Sequence, residues 1–216
     1  MTRLEDVWPL FGLRISTPRL ELNPVRDDQL PGLVDAVLAG IHDPSVMPFT
    51  VPWTDAPRDE LIRESVKHQW RQRCSVLPDH WTINFAVSYQ GKLIGMQDLS
   101  TEDLFLRRTV QTGSWLTRSE HGRGLGKEMR SAVLMFAFDY LGAQWAVSDA
   151  ASWNTSSLGV SRNLGYVDNG VSVAVARPGE SEEIQHVRLG TAGFVRPAWT
   201  ITVEGFDAAR PALVLP

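Results

Sequence analysis

Apolar and polar residues alternate through "RLELNPVR" (Arg19 to Arg26), the period-two pattern of a strand with one buried face. The period then changes. "DDQLPGLVDAVLAG" opens with acids, spaces its apolar residues by three and four and ends at Gly40, which predicts a helix. "IHDPSVMPFTVPWTDAP" is dense in proline and aromatics and reads as an ordered loop. "RDELIRESVKHQWRQRC" returns to helical spacing but is mostly polar. "INFAVSYQ", "GKLIGMQDLS" and "RTVQTGSWLT" read as three strands, the first two joined by a tight turn at Gln90-Gly91.

Leu125, Met129, Ala132, Val133, Phe136, Ala137, Tyr140 and Leu141 recur at spacings of three and four and predict a buried helix face, with Gly142 as its stop. "QWAVSDA" reads as a strand. In "NTSSLGVSRNLGY", Asn154 is an N-cap for a short helix ending at Gly165. "VSVAVAR" and "EIQHVRL" flank "PGES" as a hairpin, and "WTITVEGF" reads as a last strand. No repeat or linker interrupts this order. It predicts one mixed α/β domain over residues 1–216, with a core over about 18–190 and a final strand over about 199–206.

Composition narrows the function classes. The chain has 216 residues and is 43% hydrophobic, enough for one sizeable core. A net charge of -4 argues against general nucleic-acid binding, which needs a basic surface. Cys74 is the only cysteine, so no intrachain disulfide forms, which fits a reducing cytosol. "MTRLEDVWPL" lacks the apolar core of a signal peptide, and no apolar run reaches the roughly 20 residues of a membrane span. A soluble cytoplasmic protein is expected. The histidines show no metal-type spacing with one another or with Cys74, so no metal is expected.

The chemistry concentrates in "HGRGLGKEMR" (His121 to Arg130), a glycine-rich loop that leads into a helix. Such a loop brings backbone N–H groups to a phosphate. A P-loop needs G-x-x-x-x-G-K-[ST]; here residue 121 is histidine and Lys127 is followed by Glu128. The dinucleotide fingerprint G-x-G-x-x-G fails because residue 127 is lysine and the loop follows antiparallel strands. A pyrophosphate cradle and a turn that merely starts a helix remain.

His121, Gly124 and Gly126 resemble the [Q/R]-x-x-G-x-[G/A] loop of the GNAT acyltransferase superfamily, with histidine in the first position. One strand later, Asn154, Ser157, Gly165 and Tyr166 match that family's N-x-x-S-x-x-x-x-x-x-x-G-[FY] pattern. "TGSWLTRSEHGRGLG" resembles the ribosomal-protein N-terminal acetyltransferase (Rim-type) branch, and the resemblance runs over about residues 18–170.

The resemblance implies the acyl-CoA N-acyltransferase fold, a mixed, mostly antiparallel sheet flanked by helices. It implies acetyl-CoA as cosubstrate and an amine acceptor, either a small molecule or a protein N-terminus. Trp115, Leu116, Thr117, His121, Gly122, Arg123, Gly124, Leu125, Gly126, Lys127, Asn154 and Ser157 would meet the coenzyme. Arg118, Arg123, Lys127 and Arg130 would add charge at the rim. A backbone N–H near Trp115 or Leu116 would hold the thioester oxygen, and Ser157 would protonate the leaving sulfur.

Rim-type relatives often carry a glutamate base where this chain has Gln111, and an amide is no base. Asp98, Glu102 and Asp103 are the candidates, with His42 and His121 as further options. His42, Phe49, Trp53, Gln97 and Gln111 are expected around the acceptor. The competing reading is a non-catalytic CoA-binding sensor or interaction module. The exposed last strand suggests a homodimer.

Overall fold

The computed structural model describes residues 2–214. Nine strands form one sheet: β1 (Arg14–Ser16), β2 (Leu20–Pro24), β3 (His80–Tyr89), β4 (Lys92–Glu102), β5 (Thr109–Leu116), β6 (Trp145–Ala151), β7 (Val167–Arg177), β8 (Glu180–Gly190) and β9 (Thr202–Glu204). The helices are α1 (Leu4–Val7), α2 (Leu30–Leu38), α3 (Arg58–Cys74), α4 (Leu104–Arg107), α5 (Leu125–Asp139), α6 (Thr155–Asn163) and α7 (Phe206–Ala209). The sheet order is β7-β8-β6-β5-β4-β3-β2-β1-β9. Every named pairing is antiparallel except β5 with β6. This is the mixed, mostly antiparallel sheet flanked by helices that was expected.

The long elements lie where their periodicity places them. Gln90 and Gly91 both have positive φ, 51° and 75°, the geometry of a mirror-type two-residue hairpin turn. β1, α1 and α4 were not read from the sequence, because three or four residues carry no measurable period. "WTITVEGF" yields only the three-residue β9. Tyr140 differs from its expected burial: α5 has already ended at Asp139, and the ring is 38% exposed.

The two faces of the sheet are unequal. α5 covers one face and is buried on nearly all sides, with Leu125, Met129, Val133 and Phe136 meeting Phe85, Leu99 and Val110 in the main core. The other face holds a small cluster of Val25, Leu30, Leu33 and Ala86 beneath α2. α3 lies on that same face and buries no residue fully. It meets β3 through an amide pair, in which Asn84 Nδ2 donates to Gln69 Oε1 at 2.9 Å. A helix with a polar inner face cannot close down on a sheet as an apolar one does.

Register arranges this face in rows across β3, β4 and β5. Ala86, Met96 and Trp115 make an apolar row; Asn84, Asp98 and Gly113 make the next; Thr82, Ser100 and Gln111 make a third. The face therefore turns polar with distance from α2.

Candidate active site

The site begins where two strands part. β5 and β6 pair only from Thr109–Trp145 to Gln111–Val147, and residues 112–116 then run free of β6. Thr117 N donates to Ile94 O at 2.8 Å on the β4 side. Antiparallel alternation therefore aims the N–H and C=O groups of Thr112, Ser114 and Leu116 at the gap. Side chains take two of those carbonyls. Ser148 Oγ donates to Thr112 O at 2.8 Å, and His121 Nε2 to Leu116 O at 2.9 Å. The N–H groups of Ser114 and Leu116 are left facing the opening. Of the two positions expected to supply an oxyanion donor, Leu116 turns its N–H to the opening, while the N–H of Trp115 belongs to the β4 ladder. His121 thus anchors its loop to the end of β5.

Arg130 stands behind the split. It is 3% exposed, and its guanidinium reaches Ser114 Oγ at 3.1 Å, Ser148 Oγ at 3.2 Å and Gln97 Oε1 at 3.4 Å. It is not a rim charge, as the sequence suggested, but a buried tie between β5 and β6 with no salt-bridge partner among the described residues.

The glycine loop closes the upper end. Gly122 and Gly124 have φ of 73° and 76°, in the left-handed region that glycine enters without strain. Gly124 is the N-cap of α5, so the N–H groups and partial positive charge of a 15-residue helix face the cleft. A Cβ on Gly122 would meet nothing within 4 Å, and one on Gly126 only Leu116 Cδ1 at 3.8 Å, so the loop's surface is open to a phosphate. Buried Glu128 fastens it from below, accepting from Thr17 Oγ1 at 2.6 Å, Arg19 N at 3.0 Å and Arg19 Nε at 2.6 Å. Arg19 in turn donates to Arg123 O at 3.1 Å. Nothing local in the sequence signals this latch, because its partners lie over a hundred residues apart.

Asn154 Oδ1 accepts from Ser157 N at 3.1 Å, the expected cap, and its Nδ2 makes no hydrogen bond among the described residues. Both residues line the cleft, as do Trp115, Leu116, His121, Gly122, Gly124, Leu125, Gly126, Lys127 and Arg118. The whole cleft measures about 1490 Å³.

Asp98 lies on the floor beside the split. Its Oδ1 accepts from Gly113 N at 2.5 Å. Depth among protein groups pushes its carboxyl up to about 6 although a water can still touch it; the Gly113 N–H and Arg130 oppose that rise, and Asp149 adds to it.

Phe49 stands against His42 and Trp53 at 5.7 and 5.4 Å between ring centres, and Trp53 lies 6.4 Å from Trp115, so the proline-rich loop builds an aromatic wall. His42 is engaged on both nitrogens, Nδ1 with Asp43 O at 2.8 Å and Nε2 with Thr54 Oγ1 at 2.7 Å, and so braces the loop. Gln111 lines the floor.

Five residues expected at the site are not brought there. Gln97 points to the α5 face, fully buried, and donates to Gly113 O at 2.7 Å. Glu102 ends β4 beyond the β5 pairing and is tied to Arg107 at 2.9 Å on the surface. Thr117 is buried, its Oγ1 donating to Ile94 O at 3.0 Å. The Arg123 side chain turns outward to Glu120 and over the Tyr89 ring at 4.9 Å, leaving only its backbone to the loop. Asp103 caps α4 with φ 50° and does not line the cleft either.

A strand split beside a glycine-led helix is the arrangement the two motifs anticipate, and residues 19–167 match the sequence model described as an acetyltransferase (GNAT) domain. The chain belongs to the GNAT acetyltransferase family. Solved GNAT structures share its fold. RimJ of Mycobacterium smegmatis, in complex with CoA-disulfide, is 16% identical with a TM-score of 0.71, covering 96% of this chain and 98% of its own. RimL, a ribosomal L7/L12 alpha-N-protein acetyltransferase in complex with coenzyme A, is 16% identical with a TM-score of 0.61, covering 81% and 95%. A GCN5-related N-acetyltransferase from Brucella melitensis is 18% identical with a TM-score of 0.66, covering 83% and 79%. The likeness is one of fold, and it includes the Rim-type branch that the loop resembles. Membership of the GNAT family supports acetyl transfer with a coenzyme A cosubstrate. No helix among the described residues is long and apolar enough to cross a membrane.

Proposed function

We propose that the protein transfers the acetyl group of acetyl-CoA to a primary amine by direct attack, with Asp98 as the base. The observation that carries this reading is the placement of the Asp98 carboxylate on the floor of the cleft, one strand from the split between β5 and β6, where burial pushes it up to about 6. A base is most effective when its pKa lies near the working pH. Gln111 cannot take a proton, and Asp98 on the neighbouring strand supplies what it lacks.

The loop N–H groups and the N-terminus of α5 hold the pyrophosphate. Asn154 Nδ2 is free to meet the pantetheine arm. Asp98 takes the proton of the incoming ammonium, directly or through one water. The amine nitrogen then bonds to the thioester carbon while the N–H of Leu116 stabilises the charge on its oxygen. As the C–S bond breaks, the Ser157 hydroxyl gives its proton to the sulfur and recovers one from solvent, and the nitrogen, now bonded to carbon, releases its second proton to solvent to leave the neutral amide. The amine is a small molecule or a protein N-terminus; the shared fold with RimL, a ribosomal L7/L12 alpha-N-protein acetyltransferase, supports the second.

The test is calorimetric titration with acetyl-CoA, beside ATP and NAD, followed by transfer assays on wild type and Asp98→Asn. Binding of acetyl-CoA alone, with turnover lost in Asp98→Asn, is expected. Tight binding without turnover on any amine would leave the sensor reading in its place.

A further inference from the structure

Six hydrogen-bonding side chains line the cleft beneath α3 without a protein partner for their polar atoms: Ser65, His68 and Gln72 on the helix, and Thr82, Ser100 and Gln111 on the sheet. Ser65 Oγ is shielded from solvent and is the one such buried side-chain atom without a partner among the described residues. Polar groups withdrawn from water are ordinarily paired, because leaving them unpaired is costly. Ser65 bears that cost; His68, Gln72, Thr82 and Ser100 are half-buried and Gln111 is exposed, and together the six line facing surfaces of one cleft. Continuity with Asp98, which shares the floor of the sheet with Ser100, places this surface next to the reacting nitrogen.

We infer that this surface is the acceptor subsite, and that it selects a primary amine bearing hydroxyl groups. The inference rests on the acetyl-transfer reading above. Hydroxyls and side-chain amides each donate and accept, which is also what a substrate hydroxyl requires. The two cations of α3 nearest this surface are already paired. Arg71 and Lys67 are held by Glu64 at 3.4 and 2.8 Å, and burial followed by the Arg71 charge pushes the His68 imidazole down toward its neutral form. An apolar amine would displace water from these groups without replacing its hydrogen bonds, and a site built to bond hydroxyls rejects the analogue that lacks them.

The test is calorimetric titration of the protein–CoA complex with matched pairs: glucosamine against cyclohexylamine, and a Ser-Ala-Ala-Ala peptide against Ala-Ala-Ala-Ala, with spermidine alongside. The hydroxyl-bearing member of at least one pair is expected to bind tenfold or more tightly, and the pair that responds separates a sugar amine from a peptide N-terminus. Ser100→Ala and Gln111→Leu should each narrow that ratio by roughly three- to tenfold while CoA affinity holds. Equal affinities within both pairs, or spermidine binding more tightly than either hydroxyl-bearing amine, overturns the inference. Binding is read without turnover, so selective binding with no acetyl transfer counts against the transfer chemistry alone. Failure to bind CoA removes both.

Discussion

Asp98 occupies the space that a side chain at Gly113 would need. The two are register partners across β4 and β5, the Gly113 N–H donates to Asp98 Oδ1, and a Cβ on residue 113 would lie 2.6 Å from Oδ2. Glycine at 113 is therefore a condition of where the carboxylate sits. Gly113→Ala should displace it and lower the transfer rate on the order of 10²-fold, since about an ångström of misplacement costs that much. Acetyl-CoA affinity, measured by titration, should change little. An unchanged rate would show that the position of this carboxylate does not matter to the chemistry.

The raised carboxyl of Asp98 gives the reaction a pH signature. The ionised form is the base, so kcat/KM should climb as pH rises through about 6 and then level. Asp98→Asn should lose that limb and fall by roughly 10²-fold or more. Stability should carry the opposite sign. Because the folded pKa lies above the ordinary aspartate value of 3.8, the native state holds this proton more tightly than the unfolded chain. The contribution of Asp98 to stability therefore falls as pH rises from about 4 to about 6. Asp98→Asn should melt higher relative to wild type at pH 7 than at pH 4. Thermal melts showing the reverse order would place the carboxylate in a stabilising pair.

Gly124→Ala and Gly124→Glu separate backbone strain from charge. At φ 76° a Cβ costs about 1 kcal/mol, which both variants share. Only glutamate sets an anion against the pyrophosphate at the start of α5. Acetyl-CoA affinity should drop by more than 100-fold in the folded Gly124→Glu protein and by much less in Gly124→Ala. Equal affinities in the two would take the pyrophosphate away from this loop.

Ser157→Ala should lower kcat while leaving the acetyl-CoA Kd nearly constant, because its hydroxyl acts on the departing sulfur. The cap survives this change, since Asn154 Oδ1 accepts from the Ser157 backbone. Asn154→Ala should instead cost about 1 kcal/mol of stability together with coenzyme affinity. A single-turnover rate that ignores Ser157→Ala would assign the sulfur's proton to another donor.

Much of this was legible without a structure. The apolar spacing from Leu125 to Ala137, the glycines at 122, 124 and 126, and the Asn154–Ser157 pair are local features. A few neighbouring residues determine a helix face, a left-handed loop or a cap. The choice among Asp98, Glu102 and Gln97 was not local. Gln97 and Asp98 are adjacent, yet α5 covers one face of β4 and the cleft opens on the other, so a single step along the strand reverses the surroundings. Glu102 shares the parity of Asp98 but lies past the last β4–β5 pair, Ser100–Gln111, where Arg107 takes it. Arg130 read as one more surface charge, and only the split between Ser114 and Ser148 turned it into a buried tie. The sequence by itself determined the elements and the phosphate loop, because backbone preference and periodicity act over a turn or two. Only the tertiary structure decided which carboxylate faces the cleft, what holds the loop from below and why the underside of α3 is polar, because each depends on partners that strand register brings together from distant parts of the chain.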